Sequence, residues 1–283
     1  MSKKILSISA VLAVTIEILQ FFTIAAGQEA RITVSLADGG RVLAAVRGRM
    51  ASAEPNAIRE IWFLDSIAGV EGLSRRRSSV KVFGPGDDVI DDRSLAGSTP
   101  IKRAAIGGYA YTVDLTPLGV TSAAHVSWAN GTGGVLMLDD LLPQSIGRNA
   151  AIQLDLPAGW RAFTAENQTA PGTFSVGNVE KAVIYIGADI RDRRIPAGDR
   201  TLDLAISGEW LFTDAEAAAM TAAIFDSYSR LFGKLTNEPR RIFIGKFPAQ
   251  TRIGAWEAET RGRSVTILSA DMPFKAQSIQ RLH

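Results

Sequence analysis

Between about residues 30 and 206, apolar residues keep falling at every second position, and this period of two most limits the fold. Ile32, Val34 and Leu36 alternate with Thr33 and Ser35. Successive strand side chains point to opposite faces, so such a run buries one face and wets the other. Asp38-Gly39-Gly40 is a hairpin signal, and residues 42–46 read as the return strand. Further strand-like runs fall at 58–64, 80–83, 109–115, 126–128, 135–138, 152–156, 183–186 and 202–206. Turn signals separate most of them: Gly84-Pro85-Gly86, Asn130-Gly131, Pro157-Ala158-Gly159 and Pro196-Ala197-Gly198. Many short strands at short spacing, with few good helices, imply an antiparallel β-sandwich.

The pattern changes near Gly208. Thr213-Asp214-Ala215-Glu216 has the form of a capping box, a hydroxyl at the cap with a Glu three residues on. Met220, Ile224, Tyr228 and Leu231 follow at helical spacing, and Gly233 stands where a helix terminator belongs. Strands are expected at 241–247 and 264–269. Pro273 suits the first turn of another helix, with Phe274, Ser278, Ile279 and Leu282 on one side. The fold class is therefore mostly β with a C-terminal α/β portion. The expected units are 28–207, the sandwich, and 208–283, the incomplete beginning of a second domain.

Residues 1–27 read as a signal peptide. Lys3 and Lys4 precede an uncharged, mostly apolar run at 5–16, and Ala25-Ala26-Gly27 supplies small residues for cleavage. An uncleaved anchor would put Glu17 near mid-bilayer, at a cost of a few kcal/mol. Losing Lys3, Lys4 and Glu17 with the leader leaves 29 basic and 28 acidic residues. A nearly neutral chain is a poor general nucleic-acid binder. Export to a bacterial periplasm or beyond the cell is expected, with no membrane span after cleavage. The absence of cysteine excludes disulfides, thiol catalysis and Cys-ligated zinc.

Side chains able to carry chemistry are few. His125 and His283 are the only histidines, so three-histidine metal sites are excluded within one chain. His125 starts a strand and reads as structural. Asp87-Asp88 and Asp91-Asp92 lack the calcium-loop spacing and read as a solvated acidic loop. Arg75-Arg76-Arg77 reads as an exposed turn. Asn130-Gly131-Thr132 and Asn167-Gln168-Thr169 are formal glycosylation sequons that read as turns. Glu257 and Glu259 would share one face of a strand.

The order of segments is more specific than any one motif. Leu156-Pro157-Ala158-Gly159-Trp160 follows a strand, and Val183-Ile184-Tyr185-Ile186-Gly187 comes later. The capped helix ends in Tyr228-Ser229-Arg230-Leu231-Phe232-Gly233. Arg241-Ile242-Phe243-Ile244-Gly245 follows, then Gly254-Ala255-Trp256-Glu257-Ala258, then Arg263-Ser264-Val265-Thr266-Ile267-Leu268. From about residue 150 to 283 this order resembles the front part of the gluzincin (thermolysin-like) zinc aminopeptidases, closest to the glycyl aminopeptidase branch.

The resemblance implies a sandwich followed by the start of a thermolysin-like domain, cut off before His-Glu-x-x-His. It implies that Gly254, Ala255 and Trp256 offer a backbone edge to a peptide substrate. It implies that Glu257 holds the substrate's α-ammonium. The family pattern Gly-x-Met-Glu-Asn is not kept at Trp256 and Ala258, which puts peptide selectivity in doubt. No catalytic or metal residue is assigned. Zinc is expected in a full-length protein and no cofactor in this chain. His283 is either the first zinc histidine or a residue just upstream of it. The function implied is the N-terminal part of an exported zinc metallopeptidase, inactive alone, with peptide as the substrate of the full-length protein. The alternative is a complete, non-catalytic exported sandwich that binds a peptide or an envelope partner.

Overall fold

The alternation of the first strands becomes a long hairpin. Strand β1 (Gly27–Leu36) pairs antiparallel with β2 (Val42–Ala51), Ile32 standing opposite Val46, and both side chains are buried. The structure, a computed structural model, describes residues 27–271 apart from 52–57, 96, 98, 120–121, 145–146, 198–199 and 234–239. Residues 1–26 of the expected leader, the expected helix at Pro273 and His283 lie outside the described residues, while Gly27 opens β1.

Short pieces β3 (Glu60–Ile61), β4 (Ser66–Ile67) and β5 (Val70–Glu71) lead to β6 (Arg77–Phe83) and β7 (Val89–Leu95). Next come β8 (Ile101–Lys102), β9 (Gly108–Asp114), β10 (Trp128–Ala129), β11 (Gly133–Met137) and a one-turn helix, α1 (Leu138–Leu141). Then follow β12 (Asn149–Asp155), β13 (Arg161–Thr164), β14 (Asn167–Ala170), β15 (Thr173–Val176) and β16 (Val183–Gly187). The C-terminal portion holds β17 (Arg191–Ala197), β18 (Arg200–Ile206), helix α2 (Asp214–Phe232), β19 (Arg240–Lys246), β20 (Trp256–Arg261) and β21 (Ser264–Ser269).

Three main sheets stack with one helix. An eight-stranded sheet runs β14-β15-β12-β1-β2-β9-β6-β7, antiparallel except for the parallel pair β1 and β12. Its inner face, with Ile32, Val46, Tyr109 and Ile152, packs on Leu136, Ile184 and Ile186 of a four-stranded sheet, β10-β11-β16-β13. That sheet is covered on its other face too. Val135, Met137, Val183 and Tyr185 meet Ala205, Phe243 and Leu268 of a five-stranded sheet, β17-β18-β19-β21-β20. Helix α2 closes the far side, where Ala217 and Ala218 pack on Leu204, Ile242 and Ile244.

Burial on both faces explains the apolar runs Gly-Gly-Val-Leu-Met and Val-Ile-Tyr-Ile-Gly, which do not alternate. Gly134 is needed for closeness, since a Cβ there would stand 2.1 Å from the Trp128 carbonyl oxygen. Parallel strands β18 and β19 cannot join by a tight turn, and α2 is their crossover. The capping box forms: the Thr213 hydroxyl accepts from the Glu216 N–H at 3.2 Å, and the Glu216 carboxylate accepts from the Thr213 N–H at 2.8 Å.

Four expectations are corrected. The boundary at 207/208 cuts the five-stranded sheet, because β17 and β18 before it belong with β19, β20 and β21 after it. Sheet membership is set by non-local pairing, which the local strand period does not report. Within 58–64 only Glu60–Ile61 is strand. Arg75-Arg76-Arg77 is not an exposed turn, since Arg76 and Arg77 are buried. Arg76 donates to the carbonyls of Asp114 at 2.8 Å and Ser127 at 2.6 Å, with Asp140 3.7 Å away. Arg77 donates to the carbonyls of Leu64 and Asp140 and lies 4.7 Å over the Phe63 ring. Asp91 likewise sits in β7, buried and paired with Arg93 and Arg103.

Tyr185 joins two layers. Its ring stacks on Phe243 at 4.3 Å and its hydroxyl meets that of Thr266 at 2.9 Å. Tyr185→Ala is expected to lower unfolding free energy by about 3–5 kcal/mol. Tyr185→Phe should lower it by only about 1 kcal/mol, the net value of one hydrogen bond. Urea unfolding midpoints of the three proteins check this order.

Candidate functional site

The segment singled out in the sequence forms the start of an edge strand. Ala255 N–H donates to the Arg252 carbonyl at 3.1 Å, closing a turn in which Gly254 has φ +78°. A left-handed residue at the third position of such a turn favours glycine. Ala255 accepts from Ala270 N–H at 2.9 Å, and β20 then pairs antiparallel with β21, Trp256 opposite Ser269 and Glu257 opposite Leu268. Strand β20 ends the five-stranded sheet, so its outer backbone edge has no strand partner among the described residues.

Alternation splits β20 into two faces. Trp256, Ala258 and Thr260 are exposed, with Trp256 52% accessible. Glu257, Glu259 and Arg261 are half-buried and face the sandwich. The Glu257 carboxylate accepts from Ser122 N–H at 2.6 Å and Ala124 N–H at 3.1 Å. Glu259 lies 2.8 Å from Nδ1 of His125. Arg261 pairs with Asp139 and donates to the His125 carbonyl at 3.2 Å. Residues 122–125 form the receiving turn: His125 N–H donates to the Ser122 carbonyl at 3.0 Å, and Ser122 has φ +66°. A non-glycine residue in that region costs backbone energy, here offset by the N–H groups it aims at Glu257.

The sequence presents Glu257 as a carboxylate free to meet a ligand, and the structure adds two backbone donors already on it. Each oxygen receives one N–H, and an ionised carboxylate offers about four lone-pair sites, so acceptor capacity remains. Glu257 and Glu259 share a face as the spacing implies, but each has its own partner. Ser122, Ala124, Arg261 and Asp139 escaped sequence reasoning. Charged residues at every second position of 257–261 are the one local signal, and they do not name the partner loop.

Among the described residues, no group of three or more His, Asp or Glu side chains is placed to hold a metal ion. His125 is committed to Glu259, and the described residues do not fit a zinc centre.

No family model and no curated protein matches the chain. Among solved structures it is similar to an aminopeptidase N family protein from Idiomarina loihiensis. The TM-score is 0.66 at 14% identity, covering 86% of this chain and 42% of that one. An M1 zinc metallopeptidase from Deinococcus radiodurans is found at TM-score 0.45 and 13% identity, covering 90% of this chain and 62% of that one, a similarity too loose to carry an argument. The first comparison shows a shared fold, mostly β with several sheets. The chain spans less than half the length of that neighbour.

Asp139 makes the contact between β20 and α1 sensitive to pH. Burial pushes its carboxyl up to about 6, against the pull of the Arg261 guanidinium. Below about pH 4 both folded and unfolded chains hold this proton. Between about 4 and 6 the unfolded chain releases it while the folded chain keeps it. Stability from this group therefore falls as pH rises through that window and is flat above it, by up to about 3 kcal/mol. The difference in unfolding free energy between wild type and Asp139→Asn, measured from pH 3.5 to 7.5, should show that fall. A difference independent of pH would remove Asp139 as its source.

Proposed function

We propose that this chain is the N-terminal part of an exported zinc metallopeptidase of the aminopeptidase type, related most nearly to the glycyl branch of the gluzincins. The observation that carries the reading is the place of Gly254–Glu257: at the start of an edge strand with no outer partner among the described residues, in a fold shared with an aminopeptidase N family protein. A peptide with a free amino terminus would add to that edge as a further strand. Glu257, oriented by Ser122 and Ala124, would take the peptide's α-ammonium on its remaining lone pairs, a charge-assisted bond that a mid-chain amide cannot make.

In this reading, zinc belongs to the full-length protein. It would polarise the scissile carbonyl and activate water, and residues of the longer protein would hold it. This chain supplies the sandwich and the substrate edge and by itself cleaves nothing. The leader at 1–27 would place the protein in the periplasm or outside the cell.

The coding sequence past codon 283 is a direct test, since the reading requires His-Glu-x-x-His close downstream. In the longer protein, Glu257→Gln is expected to cut kcat/KM on free-terminus peptides by about tenfold or more. It should also cost about 1–3 kcal/mol of stability, because an amide cannot accept from both Ser122 and Ala124. Unfolding midpoints measured alongside separate the two effects. Unchanged kcat/KM in folded Glu257→Gln would leave Glu257 as a clamp between sheets only.

A further inference from the structure

A cleft opens between the segment 162–168 and the five-stranded sheet. Its volume is about 490 Å³, within the range of small-molecule sites. Buried Phe163 and Phe174 contribute apolar lining. Arg241 lines it from β19 and Arg263 from the β20–β21 turn, with Glu166 from the β13–β14 connection and Asn167 and Gln168 from β14.

The lining carries two guanidiniums, Arg241 and Arg263, and two carboxylates, Glu166 and Asp192, and Asp192 pairs with Arg161 at 2.7 Å. Arg194, Asp203 and Arg241 stand side by side on β17, β18 and β19. Asp203 lies 3.2 Å from Arg194 Nε and 2.9 Å from an Arg241 terminal nitrogen. Counting Arg161 and Arg194 with the lining, four guanidiniums stand against three carboxylates, Asp192, Asp203 and Glu166, which leaves one positive charge unmatched. The Arg241 Nε is buried without a hydrogen-bond partner and closed to solvent, so a ligand in the cleft would meet this guanidinium through its terminal nitrogens. The Arg241 guanidinium also lies 5.4 Å over the Phe163 ring, next to the apolar lining. Arg263 donates to the Ala165 carbonyl and attracts Glu166, whose carboxyl burial pushes up. Glu166 is therefore an internal anion held in a poorly solvated place beside Arg263.

We propose that this cleft binds a small carboxylate ligand with an apolar body, the carboxylate on Arg263 and Arg241 and the body on Phe163 and Phe174, with Glu166 as the internal competitor for Arg263. A guanidinium fork matches a carboxylate in plane and charge, and aromatic surface rewards a ligand that is more than a bare ion.

The test uses the full chain and N-acetyl-L-phenylalanine, followed by protein-observed NMR and calorimetry. N-acetyl-L-phenylalaninamide serves as neutral control and inorganic phosphate as bare anion. The acid should bind at least about tenfold more tightly than the amide, the worth of a charge-assisted hydrogen bond, and more tightly than phosphate. Arg263→Gln should lose about tenfold. Glu166→Gln should tighten binding severalfold, a gain that a variant damaged in folding would not show. Equal binding of acid and amide, no binding of the acid at millimolar concentration, or an unchanged affinity in folded Arg263→Gln would each overturn the proposal. Phosphate binding as tightly as the acid would overturn the role of the aromatic lining.

Discussion

The molecule depends on a four-stranded sheet that has no wet face. Strands β11 and β16 are buried residue by residue. One face of the sheet serves the eight-stranded sheet and the other serves the five-stranded sheet. A layer of this kind cannot use polar residues to keep register. It relies on apolar volume, on glycines where backbones approach closely, and on a few hydrogen-bonded polar tips such as the Tyr185 hydroxyl. It also makes sandwich and C-terminal sheet a shared packing problem, because removing either would bare half of this layer to water.

Beside that apolar contact runs a charged one. Arg76, Arg77, Asp139 and Asp140 are buried around α1. Taking such groups out of water is expensive, and breaking one partner leaves an uncompensated charge. Their compensation is distributed. Ser127 bonds both oxygens of Asp140, backbone carbonyls take the Arg76 and Arg77 donors, and Arg261 reaches across from β20 to Asp139. The apolar layer makes the contact strong, and the charges fix which strand of the second sheet lies against which turn of the first.

Legibility in the sequence followed the range of the cause. The capped helix was readable because each end is signalled locally, by Thr213 with Glu216 at the start and by Gly233 at the finish. β21 was readable for the same reason, as were β6, β9 and β12. β13, β14 and β17 were not, because strands such as Asn-Gln-Thr-Ala and Arg-Asp-Arg-Arg carry little apolar alternation and exist through their neighbours. The arginine run misled because charge usually means exposure; its partners, Leu64, Asp114, Ser127 and Asp140, are 13 to 63 residues away. The Gly254–Glu257 segment stood out by order and composition, whereas the turn at 122–125 that receives it had no signal, since backbone N–H groups leave none in a sequence.

The two sides of β20 carry different duties. Its inward residues, Glu257, Glu259 and Arg261, are held by the sandwich through Ser122, Ala124, His125 and Asp139. Its outer backbone edge has no strand partner among the described residues. An edge strand left free on both counts would fray or pair indiscriminately. Pinning one face every second residue fixes the height and tilt of the outer edge without using any of its hydrogen-bonding groups. The position of that edge is thus inherited from the sandwich and not from its own sheet alone. For a strand that is to receive another chain, affinity comes from a backbone already in place, because ordering it at the moment of binding would subtract from the free energy of association. Under the proposed function the sandwich would be part of the recognition apparatus, and the turn at Ser122 is where it holds the edge.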